Sequence, residues 1–467
     1  MPSIESHFIK GRPNYLKSLR YDLPAGVVVF LVALPLCLGI ALASGAPIFA
    51  GIIAGVVGGI AVGLASGSAI GVSGPAAGLT AIVMSAIDSL GYEQFLVAVV
   101  IAGALQLVLG ALKAGIIGYY FPTAVIKGML AGIGLILILK QIPHALGNDR
   151  DYEGDWGFVQ PDGDNTLSAI IHAFQHFNTG AVIITVVSMG IMLLWETRPF
   201  KRYALLKLIP APLLVVIAGT GINIWYSYYM PAYSLYNQSF GDWESNHLVS
   251  IPAFSGFSEF LGLFTFPDFS ALLSWEVYTT AFTLAIVGSL ETLLSVEATD
   301  RLDPYKRITP TNRELYAQGM GNIISGSLGG IPVTQVIVRS TANVSAGGRT
   351  KVVAIVHGIL LLACVYLIPD LLNLVPLSCL AAILFIIGYK LARLPLFVEM
   401  YRGGWTQFVP FTITILAILF TNLLQGIAIG MGVAIFYILR SSYRTPFYFH
   451  QEDHHEGDKI HIRLSEE

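Results

Sequence analysis

The chain has 467 residues, of which 55% are hydrophobic and 12% are charged, against roughly 25% charged residues in an average soluble domain. Its 26 basic and 29 acidic residues leave a formal charge of −3, so we expect no basic surface that binds nucleic acid. Free cysteines in apolar stretches pack like small hydrophobic residues, and this holds for Cys37, Cys364 and Cys379. The composition argues against a soluble enzyme, a disulfide scaffold and a zinc site, and predicts a polytopic membrane protein.

The polar segment 1–22 has no small-residue cleavage site after a short apolar region, so no secretory signal is expected. A membrane-spanning helix needs about 20 apolar residues, and runs of this kind predict fourteen spans, at 23–42, 47–66, 75–90, 92–113, 118–142, 178–196, 205–224, 278–299, 314–329, 332–346, 351–369, 372–392, 405–421 and 423–440. We therefore expect an all-α polytopic membrane protein with a cytoplasmic N-terminal segment (1–22), a transmembrane transport domain (23–441) and a cytoplasmic tail (442–467).

Lysine and arginine residues gather on one predicted side of the membrane. They precede span one and follow spans six, eight, ten, twelve and fourteen, at Lys10, Arg12, Lys17, Arg20, Arg198, Lys201, Arg202, Lys207, Arg301, Lys306, Arg307, Arg313, Arg349, Lys351, Lys390, Arg393, Arg402, Arg440 and Arg444. No lysine or arginine lies between Lys207 and Arg301. Basic residues favour the cytoplasmic side, so both termini are predicted to be cytoplasmic.

A weak internal repeat relates the two halves of the chain. Residues 62–71 (VGLASGSAIG) and 321–330 (GNIISGSLGG) share four identities in ten at an offset of 259. The same offset superposes span one on span eight, span four on span eleven and span five on span twelve. A unit of seven spans is odd, so the second copy enters from the opposite side, which is the inverted repeat common in secondary transporters. The repeat favours a transporter over a receptor or a membrane enzyme.

Span three and span ten each follow a glycine-rich and serine-rich stretch with a proline, SGSAIGVSGPAAG and ISGSLGGIPVTQ. Such stretches are poor helices, and irregular backbone at membrane depth must be buried in protein or line a wet cavity. We expect Ser73 to cap span three with Pro75 as its first helical residue, and Thr334 or Gln335 to supply oxygen atoms at span ten. The facing N-termini would then bind an anion; alternatively, the glycines only permit close helix packing.

Two ionisable residues lie deep in apolar spans. Glu291 in span eight must be protonated, cation-bound or paired, and Ser295 lies one turn further on the same face. Together they could bind sodium or relay a proton, or Glu291 could pair with a basic neighbour. Arg339 in span ten cannot lose its charge, so it either serves the anion pocket or pairs with Glu291.

The remaining motifs exclude other classes. His172 and His176 have the i, i+4 spacing of metal ligands, but no third ligand is near in sequence and the stretch is typical of an interfacial helix. The sequence has no GxxxxGK[ST] loop, so no ATP-driven pump is encoded. No cofactor is predicted apart from a candidate sodium ion at Glu291.

Four motifs resemble the sulfate permease (SulP) family of inorganic-anion transporters, LVALPLCLGIALASG, GVSGPAAGLT, IVGSLETLLSVEATD and VRSTANVSAGGRTK. The resemblance covers 20–445 and implies a core (23–113 and 278–369), a gate (118–224 and 372–440), elevator-like movement of the core and a homodimer. It also implies an anion pocket formed by Ser73, Ala76, Ala77, Thr334, Gln335, Val336 and Arg339. Sodium-coupled bicarbonate members have a carboxylate and a hydroxyl one turn apart in span eight, which Glu291 and Ser295 match, although Glu replaces the shorter Asp.

Family members usually continue into a cytoplasmic STAS domain. Here Ile460, Ile462 and Leu464 alternate with polar residues as in a β-strand and resemble the first strand of that domain. We expect a transmembrane domain that ends just inside a truncated STAS domain.

The sequence thus predicts a secondary active transporter in the bacterial inner membrane, in contact with membrane lipid. Its expected substrate is a small inorganic anion, bicarbonate first and sulfate second, with sodium or proton coupling. An uncoupled anion channel or exchanger is one alternative. A nucleobase transporter of the same fold is another, but such proteins typically carry a second carboxylate at the start of span ten, where this chain has Val333, Thr334 and Gln335.

Overall fold

A computed structural model describes residues 15–148, 158, 165–195, 197, 210–235, 238–240, 243–245, 247–249, 251, 256–444, 447–452 and 459–464. Part of the predicted basic set lies outside the described residues, namely Lys10, Arg12, Arg198, Lys201, Arg202 and Lys207.

Helices dominate the first half of the chain. They are α1 (Tyr15–Ala43), α2 (Ile48–Val57), α3 (Gly63–Ala65), α4 (Thr80–Leu90), α5 (Tyr92–Ala111), α6 (Thr123–Leu146), α7 (Thr166–Gln175), α8 (Thr179–Trp195) and α9 (Ala211–Tyr229). A π-helical turn at Gly58–Val62 joins α2 to α3, so the two form one continuous helical segment over Ile48–Ala65.

The second half continues with α10 (Phe257–Gly262), α11 (Trp275–Leu302), α12 (Thr311–Ser327), α13 (Ile337–Ser345), α14 (Val352–Leu367), α15 (Pro369–Leu372), α16 (Leu377–Leu391), α17 (Leu394–Arg402), α18 (Trp405–Phe420) and α19 (Leu423–Arg444). Among the described residues, six short strands form three antiparallel pairs, β1 (Ser73–Pro75) with β4 (Val333–Gln335), β2 (Gln238–Phe240) with β3 (Trp243–Ser245), and β5 (Phe447–Glu452) with β6 (Lys459–Leu464). The strand predicted from Ile460, Ile462 and Leu464 is therefore present as β6.

Among the described residues, seven helical segments are long and apolar enough to cross a membrane, or eight if the bent pair of α7 and α8 counts as one span. Shorter apolar helices follow at Val352–Leu367, Trp405–Phe420 and Gln425–Arg440. The predicted class, a helical polytopic membrane protein, is confirmed, while the count of fourteen spans stays a prediction.

The bounds of the helices follow the predicted repeat. Shifting α1 by the offset of 259 gives 274–302, and α11 occupies Trp275–Leu302. The same shift of α5 gives 351–370, and α14 occupies Val352–Leu367. The shifted β1 overlaps β4, so the glycine-rich stretches of the two halves also correspond.

Two groups of helices pack mainly within themselves. In one group α5 packs against α11 and α12, while α1 packs against α2 and α14. In the other, α6 packs against α16 and α18, and α8 packs against α9 and α16. The first group contains both members of the β1–β4 pair and the elements that surround it.

Candidate functional site

A pair of three-residue strands lies buried between the two halves of the chain. In β1 and β4 the opposed residues are Ser73 and Gln335, Gly74 and Thr334, and Pro75 and Val333. The pairing extends at both ends, since the Ala76 N–H donates to the Pro332 carbonyl at 3.2 Å and the Val336 N–H donates to the Val72 carbonyl at 2.9 Å. Backbone groups that would otherwise be unpaired at membrane depth are thus satisfied across the repeat.

This pairing overturns the predicted helix caps. Pro75 is the last residue of β1, a 3₁₀ turn follows at Ala77–Leu79, and α4 begins only at Thr80, so Ser73 does not cap it. Thr334 and Gln335 likewise belong to β4, and α13 begins at Ile337. Each stretch finds its hydrogen-bond partner in the other repeat, which a reading of one repeat alone cannot reveal.

The N-termini of α4 and α13 carry no side-chain cap. The N–H groups in the first turn of a helix have no partner within it, and the helix dipole adds about half a positive charge at that end. Because β1 and β4 are antiparallel, the two helices leave the strand pair at opposite ends. Ala76, Ala77 and Val336 are buried at these ends, so small apolar side chains flank backbone donors that suit an anion.

A buried amide that the sequence analysis missed holds β4 in place. Asn322 accepts a hydrogen bond from the Val333 N–H at 2.6 Å and donates to the Val333 carbonyl at 3.1 Å. Its amide nitrogen also donates to Gln106 at 2.7 Å. In the sequence, Asn322 could have been recognised as a polar amide within a stretch of small residues in α12.

The Glu291 carboxylate packs directly against the start of the α4 segment. The Gly78 N–H donates to Glu291 Oε1 at 3.2 Å, and a Cβ on Gly78 would come within 3.0 Å of the carboxylate carbon and of both oxygens. The Thr334 hydroxyl faces the same carboxylate, but the two groups do not form a hydrogen bond of standard geometry. The acid therefore touches backbone or side chains from both glycine-rich stretches.

Three buried oxygen atoms of α11 and β4 have no hydrogen-bond partner among the described residues, namely Glu291 Oε2, Thr334 Oγ1 and Gln335 Oε1. Ser295 is also buried, and its carbonyl accepts a hydrogen bond from the Gln335 amide at 3.4 Å. In the described part of the chain no three His, Cys, Asp or Glu residues cluster as metal ligands do.

Arg339 is fully buried and does not pair with Glu291. Its Nη2 donates to the Cys37 sulfur at 3.1 Å, while Nε and Nη1 make no hydrogen bond to the described residues. The guanidinium packs on β1, since a Cβ on Gly74 would lie 2.6 Å from the Arg339 Cζ. The pairing of Arg339 with Glu291 is not formed in this structure, and the role of Arg339 in an anion pocket stays a prediction.

Glu314 is a second buried carboxylate that the sequence analysis overlooked. It is fully buried on α12, and its Oε2 accepts a hydrogen bond from the Ser66 hydroxyl at 2.6 Å. Its Oε1 accepts one from Gln318 Nε2 at 2.9 Å, and the same nitrogen lies 2.8 Å from Ser73 Oγ. The signal was a Glu and a Gln four residues apart in a weakly apolar helix.

Comparison with known proteins decides the family. The sequence model of the sulfate permease family matches residues 19–417. The chain belongs to the sulfate permease family. The resemblance predicted from four motifs is confirmed, and the permease is by family a membrane transporter.

Similar proteins extend over most of the permease. It is 28% identical over 441 residues to YvdB of Bacillus subtilis, a candidate sulfate transporter by name, covering 94% of this chain and 77% of YvdB. It is 26% identical over 438 residues to the bicarbonate transporter BicA of Picosynechococcus, covering 91% and 70% of the two chains.

Solved structures share the fold of the permease. The transmembrane domain of a cyanobacterial bicarbonate transporter BicA matches with a TM-score of 0.59 at 24% identity, covering 90% of this chain and 98% of that one. The murine anion transporter Slc26a9 in the inward-facing state matches with a TM-score of 0.60 at 16% identity, covering 97% and 73%.

Proposed function

We propose that the permease is a secondary active transporter of a small inorganic anion, with bicarbonate as the favoured substrate and sulfate as the next. The observation that carries the proposal is the buried β1–β4 pair between two helix N-termini without side-chain caps. Backbone N–H groups, helix dipoles and the Arg339 charge all favour an anion there. Relatives named for bicarbonate and sulfate transport support the same substrate class.

Ser73, Ala76 and Ala77 would line the pocket from β1 and the α4 segment, and Thr334, Gln335 and Val336 would line it from β4. Arg339 supplies a formal positive charge that no carboxylate among the described residues neutralises. Its guanidinium packs against the Gly74 backbone, within the strand pair itself. We assign Arg339 to anion affinity through the electrostatic attraction of its charge rather than through a direct contact with the anion.

Coupling would act through Glu291 and Ser295, with sodium or a proton as the driving ion. Thr334 and Gln335 reach α11 from β4, because Thr334 faces Glu291 and Gln335 donates to the Ser295 carbonyl. A cation bound at Glu291 would therefore remove a negative charge that otherwise opposes anion binding on the same strand. Binding of the two ions is then mutually favourable, which is the requirement for symport.

The packing of the helices into two groups supports movement of a core, with the site, against a gate, as in an elevator. We place the permease as a homodimer in a bacterial plasma membrane, surrounded by lipid, with both termini in the cytoplasm. The lysine and arginine clusters among the described residues, such as Arg307, Arg349 and Lys351, support that orientation.

The test is uptake of labelled bicarbonate and labelled sulfate into proteoliposomes, with and without a sodium or pH gradient. Wild-type protein should accumulate at least one anion against its gradient. Glu291→Gln should remove the dependence on the cation, whereas Glu399→Gln, which alters a largely exposed acid of α17 paired with Lys127, should keep it. Flux that is purely conductive and independent of cations would instead favour an anion channel.

A further inference from the structure

Three buried side chains connect α12 to the anion-binding strand. Gln318 Nε2 lies 2.8 Å from Ser73 Oγ and 2.9 Å from Glu314 Oε1. Glu314 and Gln318 are fully buried and Ser73 is 4% exposed. The proposed transport function uses Ser73 but gives no role to Glu314 or Gln318. These two residues therefore need a separate explanation.

Glu314 accepts a hydrogen bond at each of its two carboxylate oxygens. The Ser66 hydroxyl donates to Oε2 at 2.6 Å and Gln318 donates to Oε1 at 2.9 Å. Both contacts are made by donors, which the two carboxylate oxygens accept. Glu314 therefore requires the amide nitrogen of Gln318, and not its oxygen, on its own side.

That requirement fixes the direction of the next hydrogen bond. An amide nitrogen has two hydrogens and no lone pair to offer. Because Gln318 Nε2 contacts both Glu314 and Ser73, it uses one hydrogen for each, and Ser73 Oγ must be the acceptor. The hydroxyl hydrogen of Ser73 is then left for another acceptor, since a hydroxyl can accept and donate at the same time.

We propose that Glu314 and Gln318 are positioning residues that keep the Ser73 hydroxyl as a hydrogen-bond donor toward the bound anion. The proposal rests on the transport function proposed above and identifies the Ser73 hydroxyl as the group that selects the transported anion. A donor-only arrangement favours an oxygen without a proton, such as any oxygen of sulfate or the carboxylate end of bicarbonate. It disfavours a ligand that presents a hydroxyl or amine hydrogen at this point.

The test measures binding of labelled sulfate and labelled bicarbonate to the purified full chain at one fixed sodium concentration. Ser73→Ala should weaken binding by roughly tenfold, and Gln318→Ala by roughly threefold to tenfold, as expected for loss or misdirection of one hydrogen bond. The double variant should bind as weakly as Ser73→Ala alone, because Gln318 acts only through that hydroxyl.

Gln318→Glu separates positioning from mere support of the fold. The new carboxyl group shares one proton with Glu314, because two buried carboxylates in contact cannot both be ionised. Its other oxygen accepts from Ser73 and draws the hydroxyl hydrogen away, so binding should be weaker than in Gln318→Ala. Glu314→Gln should weaken binding in the same way. Its new amide can donate to Gln318 and so reverse the direction of the hydrogen bonds that run from Gln318 to Ser73. Ser325→Ala serves as the matched control, since it removes another buried hydrogen bond from α12, to the Ile331 carbonyl.

The outcomes are distinct. The effects of Ser73→Ala and of the control Ser325→Ala on binding should multiply in the double variant. If the effects of Ser73→Ala and Gln318→Ala also multiply, the positioning role is wrong while anion transport stands. The positioning role is equally wrong if Gln318→Glu binds as well as Gln318→Ala. If the wild-type chain neither binds nor transports either anion, the transport function itself fails, and the positioning role fails with it.

Discussion

Replacement of Gly74 by alanine is expected to disturb the site through Arg339. Gly74 has an ordinary backbone conformation, so alanine adds no backbone strain there. Its Cβ, however, would lie 2.6 Å from the Arg339 Cζ and would overlap Nη1. Ordinary contact between such atoms needs about 3.5 Å, so the overlapping Nη1 must move by about 1.5 Å. Arg339 is fully buried, so its guanidinium cannot avoid the added methyl group by turning into solvent.

Overpacking of this kind costs about 1–3 kcal/mol, and the displaced guanidinium also loses its hydrogen bond to Cys37. Gly74→Ala should therefore lower both the Tm of the purified protein and its affinity for the anion. The informative measurement is a double-mutant cycle with Arg339→Ala, which removes the group that clashes. In that background Gly74→Ala should cost at least about 1 kcal/mol less than in the wild type.

Gly190→Ala in α8 is the matched control, because its added Cβ would meet no atom within 4 Å. It should leave the Tm unchanged or raise it slightly, since alanine favours a helix over glycine. Equal costs of Gly74→Ala with and without Arg339 would refute the contact between the two residues. So would a Gly74→Ala protein as stable as the wild type.

Two further outcomes follow from other contacts. Asn322→Ala leaves the Val333 N–H buried and unpaired, which costs about 1–3 kcal/mol of stability. The Tm and the anion affinity should therefore both fall. An unchanged Tm would show that β1 alone holds β4 in place. Burial acts to raise the pKa of Asp303, just past α11, but hydrogen bonds from Arg307 and from the Tyr305 N–H hold that pKa below its ordinary value. The ionised form thus stabilises the fold above pH about 3.9, and this stabilisation is lost as the pH falls through the lower folded pKa. Asp303→Asn should lower the Tm at pH 7, and its difference from the wild type should shrink only under strong acid; a constant difference would contradict the ion pair.

Much of the architecture could be predicted because apolar length and glycine content are local properties of the sequence. The first span was predicted to begin at residue 23, and α1 continues to Ala43 with a longer N-terminal extension from Tyr15. The repeat offset also matched the placement of α11 and α14. The seventh span was predicted at 205–224, but the described helix begins after Pro210, at Ala211, because proline favours the first positions of a helix.

The details of the site depend on contacts between residues far apart in the chain. Ser73 and Pro75 had plausible local roles as a cap and a first helical residue, yet a strand pair with Val333–Gln335 replaces both. Arg339 and Glu291 are an obvious pair by charge, yet each makes its hydrogen bond elsewhere, with Cys37 and Gly78. Glu314 went unnoticed because a polar residue near a helix start is ordinary, and the spacing of Glu314 and Gln318 gains meaning only from their burial.

The β1–β4 ribbon also sets an order for biosynthesis. Gly74 and Thr334 are opposed in the ribbon but lie 260 positions apart in the chain, so a ribosome adding about 5–20 residues per second makes the second strand roughly 13 to 52 s after the first. During that interval the polar backbone of β1 has no partner strand within the bilayer. The first seven predicted spans therefore cannot complete the site by themselves, and we expect a nascent chain released before β4 to be unstable and open to degradation.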